Sequence, residues 1–302
     1  PWPPISTAPA GMEVCDMAKR IIVAVILMPA MLWIMLVPPP LAWTVLVCLI
    51  SAMAAFELLR AVGGEKITMP MRVVTILTAA LLPFGQRQMC IRDRPFGSWA
   101  GLGTAYVNLL SFAVTAVCFW CAIRAYDEGG VKIGFSHVLA CLFGGVIIPL
   151  ALSALVELRR MDHGQYLVLL AVLLTFATDA GAYFAGVSLG RHKGVTKVSP
   201  NKSVEGYIGG FMSGVVFAIL YGIAASKIAG AGVDLFPLAL CGLFGALATE
   251  IGDLAFSFIK RQYGVKDYGH LLPGHGGMLD RFDSMMFCGP VVLFIVQCLP
   301  VF

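Results

Sequence analysis

The chain has 302 residues, of which 59% are hydrophobic and only 13% are charged. Soluble domains carry about 25% charged residues, so this composition excludes an ordinary soluble enzyme and indicates a polytopic membrane protein. The formal net charge of +4 comes from basic loops between apolar runs, which is typical of membrane topology, and we expect no nucleic acid as a partner.

Nine apolar runs follow one another along the chain, and a helix of about 20 such residues crosses the hydrocarbon of a bilayer. The third run is short. The runs are Ile21–Val37, Leu41–Leu59, Val73–Phe84, Trp99–Ile123, Val138–Val156, Tyr166–Ser188, Tyr207–Ile228, Phe236–Phe256 and Met285–Val301. We therefore predict an all-α bundle of about nine transmembrane helices. It divides into an N-terminal region, residues 1–165, and a C-terminal region, residues 166–302, that carries the polar motifs.

The first residues, PWPPISTAPAG, contain no basic stretch and no small-residue cleavage site. They do not resemble a signal peptide, and we expect translation to begin at Met12 or Met17. A second unusual segment, QRQMCIRDR, lies between Gly85 and Pro95. It interrupts an apolar region without turn chemistry or periodicity, so we hypothesise that residues 87–94 are a sequence artefact.

Most of the 21 Lys and Arg residues fall on one side of this topology. Basic residues in short loops are retained on the cytoplasmic side of a membrane. With the N-terminus in the cytoplasm, the two polar loops, residues 189–206 and 257–284, both face the cytoplasm. Nucleotides are available there.

Asp179 lies inside the apolar run Tyr166–Ser188. An ionisable group in hydrocarbon is costly, and such residues commonly form ligand or proton sites that face the interior of the bundle. We expect Asp179 to be one of these. The alternative interpretation is a hydrogen bond between two helices.

The segment Ser199–Gly206 reads SPNKSVEG and precedes the run Tyr207–Ile228. It has the character of a helix start, in which Ser203 caps exposed backbone amides. Free N–H groups at a helix start, together with Lys197 and Lys202, favour an anion site. The alternative is an ordinary basic loop with a capping motif.

Asp253 lies near the end of the eighth run and 27 residues before Asp280. The chain can leave the membrane between them and return with the two carboxylates side by side. Carboxylate oxygens are ligands that hard divalent cations prefer, so we expect Mg²⁺, and a second, monovalent cation stays open. The alternative is a pair of buried aspartates that form salt bridges to Lys260 or Arg281.

The most informative segment spans residues 257–284 and reads SFIKRQYGVKDYGHLLPGHGGMLDRFDS. Its glycines allow the backbone to approach phosphates closely, and its basic residues neutralise their charge. The string resembles the signature of the phosphatidate cytidylyltransferase (CDP-diacylglycerol synthase) family. The matching positions are Ser257, Lys260, Arg261, Lys266, Asp267, Gly269, Pro273, His275, Gly276, Gly277, Asp280, Arg281 and Asp283.

The segment Ser199–Gly206 resembles a second motif of that family, with Asn201 and Ser203 where Lys and Thr are frequent. The family resemblance implies an integral enzyme of the bacterial inner membrane that makes CDP-diacylglycerol and pyrophosphate from CTP and phosphatidate among membrane lipids. It places Mg²⁺ on Asp253 and Asp280, with Asp283 and Asp179 in support.

The resemblance also implies roles for the remaining motif residues. The residues with an implied catalytic role are Asp253, Asp280, Asp283, Lys260, Arg281 and His275. Those with an implied role in substrate binding are Ser199, Lys202, Ser203, Glu205, Arg261, Lys266, Asp267, Gly276 and Gly277.

Two other functions remain open on sequence grounds. A related membrane cytidylyltransferase could act on another lipid phosphate, because the surface that binds acyl chains is generic apolar helix. A secondary transporter could use Asp179, Glu250 and Asp253 as an ion path, although we see no inverted repeat in the sequence. The oligomeric state, monomer or homodimer, is not determined by the sequence.

Overall fold

The computed structural model describes residues 29–37, 39–64, 66–89, 100–129, 133–269, 271 and 276–302. These residues form helices and connecting loops without a strand, apart from one isolated bridge between Lys193 and Ser203. The predicted all-α architecture is confirmed.

The helices are α1 (Pro40–Gly63), α2 (Met69–Met89), α3 (Ala100–Asp127), α4 (Phe135–Leu142), α5 (Ile148–Arg160), α6 (Gly164–Ser188), α7 (Val204–Ala229), α8 (Leu235–Gln262), α9 (Leu279–Phe282) and α10 (Met285–Cys298). Residues 29–36 are also helical. A π-helical turn, Phe143–Ile147, joins α4 and α5 into one continuous rod.

Six helical stretches in the described part of the chain are long and apolar enough to cross a membrane. They are Pro40–Gly63, Gly103–Asp127, Phe135–Arg160, Gly164–Ser188, Val204–Ala229 and Leu235–Gln262. Each coincides with one of the nine predicted runs, so the chain is an integral membrane protein by the length and composition of its helices.

The predicted count of about nine spans is not confirmed. The apolar part of α2, Met69–Gly85, is shorter than the six long stretches, and α10 has only 14 residues. A span needs about 20 residues. The first predicted run, Ile21–Val37, lies mostly outside the described residues.

The segment 87–94 begins inside α2, which continues to Met89. Its first residues are therefore helical and extend the preceding helix. The remainder of the segment lies outside the described residues, and its origin as an artefact stays a hypothesis.

Helix α7 presents a buried stripe of small residues at every fourth position: Gly206, Gly210, Gly214, Ala218 and Gly222. Small side chains let transmembrane helices approach closely. A Cβ atom added at Gly210 would lie 3.0 Å from Glu250 Oε1 of α8 and 3.3 Å from Ala182 Cβ of α6. The stripe therefore brings three helices together at the level of Glu250.

These close contacts place the polar residues at one end of the bundle. The antiparallel helices α6, α7 and α8 bring the end of α6, the start of α7 and the end of α8 to the same side. Glu57, near the end of α1, contacts Met278 and Leu279 there as well. We call this side the polar end.

Buried polar contacts hold α5 to α1 and to residues 29–36 within the N-terminal region. Trp43 Nε1 donates to the carbonyl oxygen of Leu155 at 3.0 Å, and Arg159 Nε donates to that of Met35 at 2.7 Å. Helix α5 also packs against α10. The predicted division at residue 165 stays a prediction, and helices from both sides of it share one core.

Candidate active site

The loop between α6 and α7 carries Lys202 into contact with two carboxylates of α8. Lys202 Nζ lies 2.5 Å from Glu250 Oε2 and 2.7 Å from Asp253 Oδ2. Burial by itself lowers the pKa of the Lys202 ammonium, but the charges and hydrogen bonds of Asp253 and Glu250 outweigh this effect and raise its pKa overall. Lys202 therefore stays charged.

Asp179 of α6 completes this group, since it is close enough to interact with the charges of Asp253, Glu250 and Lys202. Two carboxylates contact the single ammonium, and Asp179 adds a third carboxyl group near them. Glu250 Oε1 is buried and has no hydrogen-bond partner among the described residues. We call Asp179, Lys202, Glu250 and Asp253 the open cluster, because Glu250 Oε1 has no partner among the described residues and Asp179 lies at the surface of the bundle.

A second lysine–carboxylate pair links α8 to the short helix α9. Lys260 Nζ lies 2.9 Å from Asp280 Oδ1. The other oxygen, Asp280 Oδ2, accepts hydrogen bonds from the backbone N–H of Tyr268 at 2.9 Å and of Gly277 at 3.0 Å. Both oxygens of Asp280 are therefore occupied, and this carboxylate ties the ends of the loop 268–277 together.

Glu57 of α1 reaches the same loop from the N-terminal half of the chain. Its Oε1 accepts from the N–H of Met278 at 3.0 Å, and its Oε2 accepts from the N–H of Leu279 at 2.8 Å. We call Glu57, Lys260 and Asp280 the closed cluster. Glu57 was not among the predicted site residues, and the one signal for it in the sequence is a carboxylate inside an apolar run.

Asp283 follows α9 and lies between the two clusters. It interacts with the charges of Asp253, Lys260 and Asp280. Burial raises the pKa of Asp283 to about 6, and the neighbouring carboxylates of Asp253 and Asp280 act in the same direction. The predicted residues Asp179, Asp253, Asp280 and Asp283 therefore lie in one region of the polar end.

The predicted helix start at Ser203 is confirmed. Ser203 Oγ accepts a hydrogen bond from the N–H of Gly206 at 3.1 Å, which is the geometry of an N-cap. Glu205 Oε1 lies 2.6 Å from His192 Nδ1, and the N–H of His192 donates to Glu205 Oε2 at 3.3 Å. Glu205 thus fastens the loop 189–203 to the start of α7.

The remaining predicted residues are side chains at the surface and glycines of the loop 268–277. Arg261, Lys266, Asp267 and Arg281 are exposed, and Ser199 is partly exposed. Gly276 has a φ of 83°, a conformation that favours glycine. The N–H of Gly277, a predicted phosphate contact, instead donates to Asp280. His275 lies outside the described residues.

In the structure, each of the two predicted metal ligands forms a salt bridge with a different lysine. Asp253 contacts Lys202 and Asp280 contacts Lys260. For Asp280, this is the salt bridge that the alternative interpretation expected. Within the part of the chain that the structure describes, no group of three or more His, Cys, Asp and Glu side chains forms a metal site.

The open cluster nevertheless suits a cation. The Lys202 ammonium, itself a cation, lies between two of its carboxylates, and Glu250 Oε1 lacks a partner among the described residues. Oxygen ligands of this type are those that Mg²⁺ prefers. The chemistry of the donor set therefore fits the metal. Glu250 is one of these donors, although it was predicted only as part of the ion path of the alternative transporter.

The sequence model of the cytidylyltransferase family matches residues 18–299. The chain belongs to this family. The phosphatidate cytidylyltransferase of Bacillus subtilis is 31% identical to it over 93% of this chain and 98% of that protein. That of Staphylococcus saprophyticus is 36% identical over 55% of this chain and 62% of that protein.

A third relative is the Escherichia coli protein YnbB, which is 36% identical over 56% of this chain and 57% of that protein and has no activity in its name. Membership in the cytidylyltransferase family confirms the resemblance that rested on the loop 257–284. It identifies the chain as an enzyme of nucleotidyl transfer and argues against the secondary transporter.

Proposed function

We propose that this cytidylyltransferase transfers CMP from CTP to phosphatidate and releases pyrophosphate, which yields CDP-diacylglycerol for phospholipid synthesis. One observation carries the proposal. The open and closed clusters, which contain the family's motif residues, lie together at one end of a bundle of membrane-spanning helices. A lipid phosphate and a soluble nucleotide can meet there. The names of two relatives support the same substrates.

The reaction forms one bond and breaks one. An oxygen of the phosphatidate phosphate attacks the α-phosphorus of CTP, and the bond from that phosphorus to the β-phosphate oxygen breaks, so pyrophosphate leaves with the electron pair. A phosphate monoester is largely ionised at neutral pH, so the reaction requires no strong base. Both reactants are anions, so catalysis depends on positioning and on positive charge.

The lysines of the two clusters are suited to provide that charge. Lys202 and Lys260 are each held by carboxylates at the polar end, and an ammonium can exchange a carboxylate partner for a phosphate one. The exposed cations Arg261, Lys266 and Arg281 add positive potential around the same loop. We expect Lys202 to contact phosphate more readily than Lys260, because Lys202 belongs to the open cluster.

We further propose that Asp253 and Asp280 hold Mg²⁺. Asp179 and Glu250 Oε1, which has no partner in the part of the chain that the structure describes, would support it. The surplus of carboxyl groups over ammonium groups in the open cluster supports the assignment of Asp253. Asp280 would have to exchange a bond to Lys260 or to the loop for the metal. When bound, Mg²⁺ supplies positive charge to phosphate oxygens. A second, monovalent cation and Asp283 as a further oxygen donor belong to the same proposal.

The polar end is proposed to face the cytoplasm across a bacterial inner membrane. The distribution of Lys and Arg supports this orientation. Single cysteines placed at Lys197 and Lys266, which are both exposed, are expected to react with a membrane-impermeant reagent only from the cytoplasmic side. Labelling from the opposite side would invert the orientation.

The direct test of the function is an assay of the purified protein with labelled CTP and phosphatidate. We expect labelled CDP-diacylglycerol in the presence of Mg²⁺ and none after chelation. ATP in place of CTP serves as the nucleotide control, and an isoprenoid phosphate in place of phosphatidate tests the other lipid substrate. Transfer to the isoprenoid phosphate alone would replace phosphatidate in the proposal.

A further inference from the structure

Three consecutive backbone amides at the start of α9 are all bound by carboxylates. The N–H of Gly277 donates to Asp280, whereas those of Met278 and Leu279 donate to the two oxygens of Glu57. The amides at a helix start have no partner within their helix. Here a residue that lies 221 positions earlier in the chain supplies the partner.

Two glycines of the loop make room for the Glu57 carboxylate. A Cβ atom added at Gly269 would overlap Glu57 Oε1, and one added at Gly277 would overlap Glu57 Oε2. Both positions belong to the family signature found in the sequence. Their lack of a side chain is explained by the approach of Glu57, because neither has a positive φ that would require glycine.

Glu57 is almost fully buried, with 3% of its surface exposed, and it interacts with the like charge of Asp280. The amides between the two carboxylates compensate this repulsion. Removal of Glu57 would leave two amides without a partner in a buried position, and the loss of a hydrogen bond to a charged acceptor is costly. The start of α9 therefore depends on a residue of α1.

We propose that Glu57 is a positioning residue for the active site. It fixes the first turn of α9 and thereby the side chains that follow, Asp280 and Asp283, relative to Lys260 of α8. Glu57 contacts no substrate, since both of its oxygens are occupied by the loop. Its consequence for catalysis rests on the proposed function, whereas its effect on the loop does not.

The test measures amide hydrogen exchange of the full-length protein in the variant Glu57→Gln. The amide nitrogen of Gln cannot accept from the loop, so we expect exchange at Met278 or Leu279 to become roughly ten- to a hundredfold faster. Exchange in α7 should stay unchanged. Glu157→Gln is the matched control, because Glu157 is a helical glutamate whose partner is Gln297, at 3.5 Å, and it lies outside the loop.

A second variant keeps the test valid if Glu57→Gln folds poorly. Gly269→Ala places a methyl group where Glu57 Oε1 lies and should reduce CMP transfer at least about tenfold by displacing Glu57. In the background Glu57→Ala, the same change meets no carboxylate and should cost no further activity. Contacting residues are expected to show this non-additivity.

The outcomes separate the inference from the proposed function. If the wild type transfers no CMP but Glu57→Gln still accelerates exchange at Met278 and Leu279, the positioning role stands and the substrate assignment fails. If exchange in the loop is unchanged in Glu57→Gln, or rises equally throughout α7 and α8, the positioning role is overturned. Additive losses in Gly269→Ala and Glu57→Ala would overturn it as well.

Discussion

The open and closed clusters are built from the same residue types, lysine and acidic side chains. They differ in their exposure and in whether a carboxylate oxygen lacks a hydrogen-bond partner among the described residues. In the open cluster, Lys202 and Asp253 are 24% and 31% exposed, and one oxygen of Glu250 has no partner among the described residues. In the closed cluster, Lys260 and Asp280 are 12% and 4% exposed, and both oxygens of Asp280 are occupied. The open cluster can take a new ligand with little rearrangement, whereas the closed cluster would first have to break existing bonds.

We infer from this difference that the open cluster binds ligands, whereas the closed cluster holds the structure of the active site. Breaking a buried, fully bonded ion pair is strongly destabilising because it leaves a charge without compensation. An exposed pair contributes little to stability and exchanges partners easily. We therefore expect substitutions in the closed cluster to reduce both activity and stability, and substitution of the partly exposed Asp253 of the open cluster to reduce activity alone.

The largest effect is expected for Asp280→Asn. The substitution leaves the Lys260 ammonium without its carboxylate and weakens the bonds to the backbone of Tyr268 and Gly277. We expect CMP transfer to be abolished and the free energy of unfolding to fall by about 3–5 kcal/mol. Thermal unfolding in detergent, recorded beside the activity assay, measures both quantities. Unchanged stability would show that Asp280 is not part of a scaffold.

Asp253→Asn is expected to abolish CMP transfer while the thermal midpoint stays close to that of the wild type. Asp253 is partly exposed, and Lys202 retains Glu250 as a partner after the change. The matched control is Asp234→Asn, which alters an N-cap of the same helix at its opposite end and should preserve activity. If Asp253→Asn keeps more than about a tenth of wild-type activity, the substitution costs less than about 1.4 kcal/mol of transition-state stabilisation. That result would remove Asp253 from the proposed metal ligands.

Combining the two aspartate variants sharpens the comparison. If Asp253 and Asp280 serve one metal, the double variant should transfer CMP no more slowly than the slower single variant, because residues that act as a unit are not additive. Its stability should match that of Asp280→Asn. Multiplicative losses of residual activity would assign the two carboxylates to separate functions.

Lys202→Gln is expected to slow CMP transfer about ten- to a hundredfold, which is the loss of one charge-assisted contact to phosphate. Both lysine variants should also cost stability, because Lys202→Gln leaves the buried Glu250 without its cation and Lys260→Gln leaves the buried Asp280 without its own. Initial rates at varied CTP concentration, together with thermal midpoints, measure the two effects. A rate in Lys202→Gln within about twofold of the wild type would contradict a contact between Lys202 and phosphate.

The smallest effect is expected for Glu205→Gln. This residue contacts His192 in an exposed position, and exposed pairs contribute little. We expect a loss of less than about fivefold in CMP transfer and an unchanged thermal midpoint. A larger loss of activity would give Glu205 a direct contact with substrate, as the sequence motif predicted.

Local chemistry explains what the sequence predicted correctly. The helical architecture follows from apolar runs of sufficient length, and the start of α7 follows from Ser203 and Gly206, which are three positions apart. The gathering of Asp179, Asp253 and Asp283 at one end follows from the order of antiparallel helices. The predicted number of spans is not confirmed, because the apolar part of α2 is short and α10 has only 14 residues. Apolar composition alone does not fix where a helix ends.

The partners within the site could not be predicted, because they depend on contacts between distant residues. Lys202 meets Glu250 across 48 positions, and Glu57 meets Met278 across 221. The small-residue stripe of α7 decides how closely α6 and α8 approach, and so which lysine reaches which carboxylate. The charged motif indicated the region of the active site, while packing of uncharged residues determined its pairs.

The central claim is that the open cluster binds CTP and Mg²⁺. Hydrogen exchange of the loop 189–203, measured with and without these ligands, tests it most directly. We predict that CTP with Mg²⁺ protects this loop in the wild type, that ATP does not, and that Asp253→Asn removes the protection while the protein stays folded. Absence of protection by any nucleotide in folded wild-type protein, or equal protection in Asp253→Asn, would contradict the assignment.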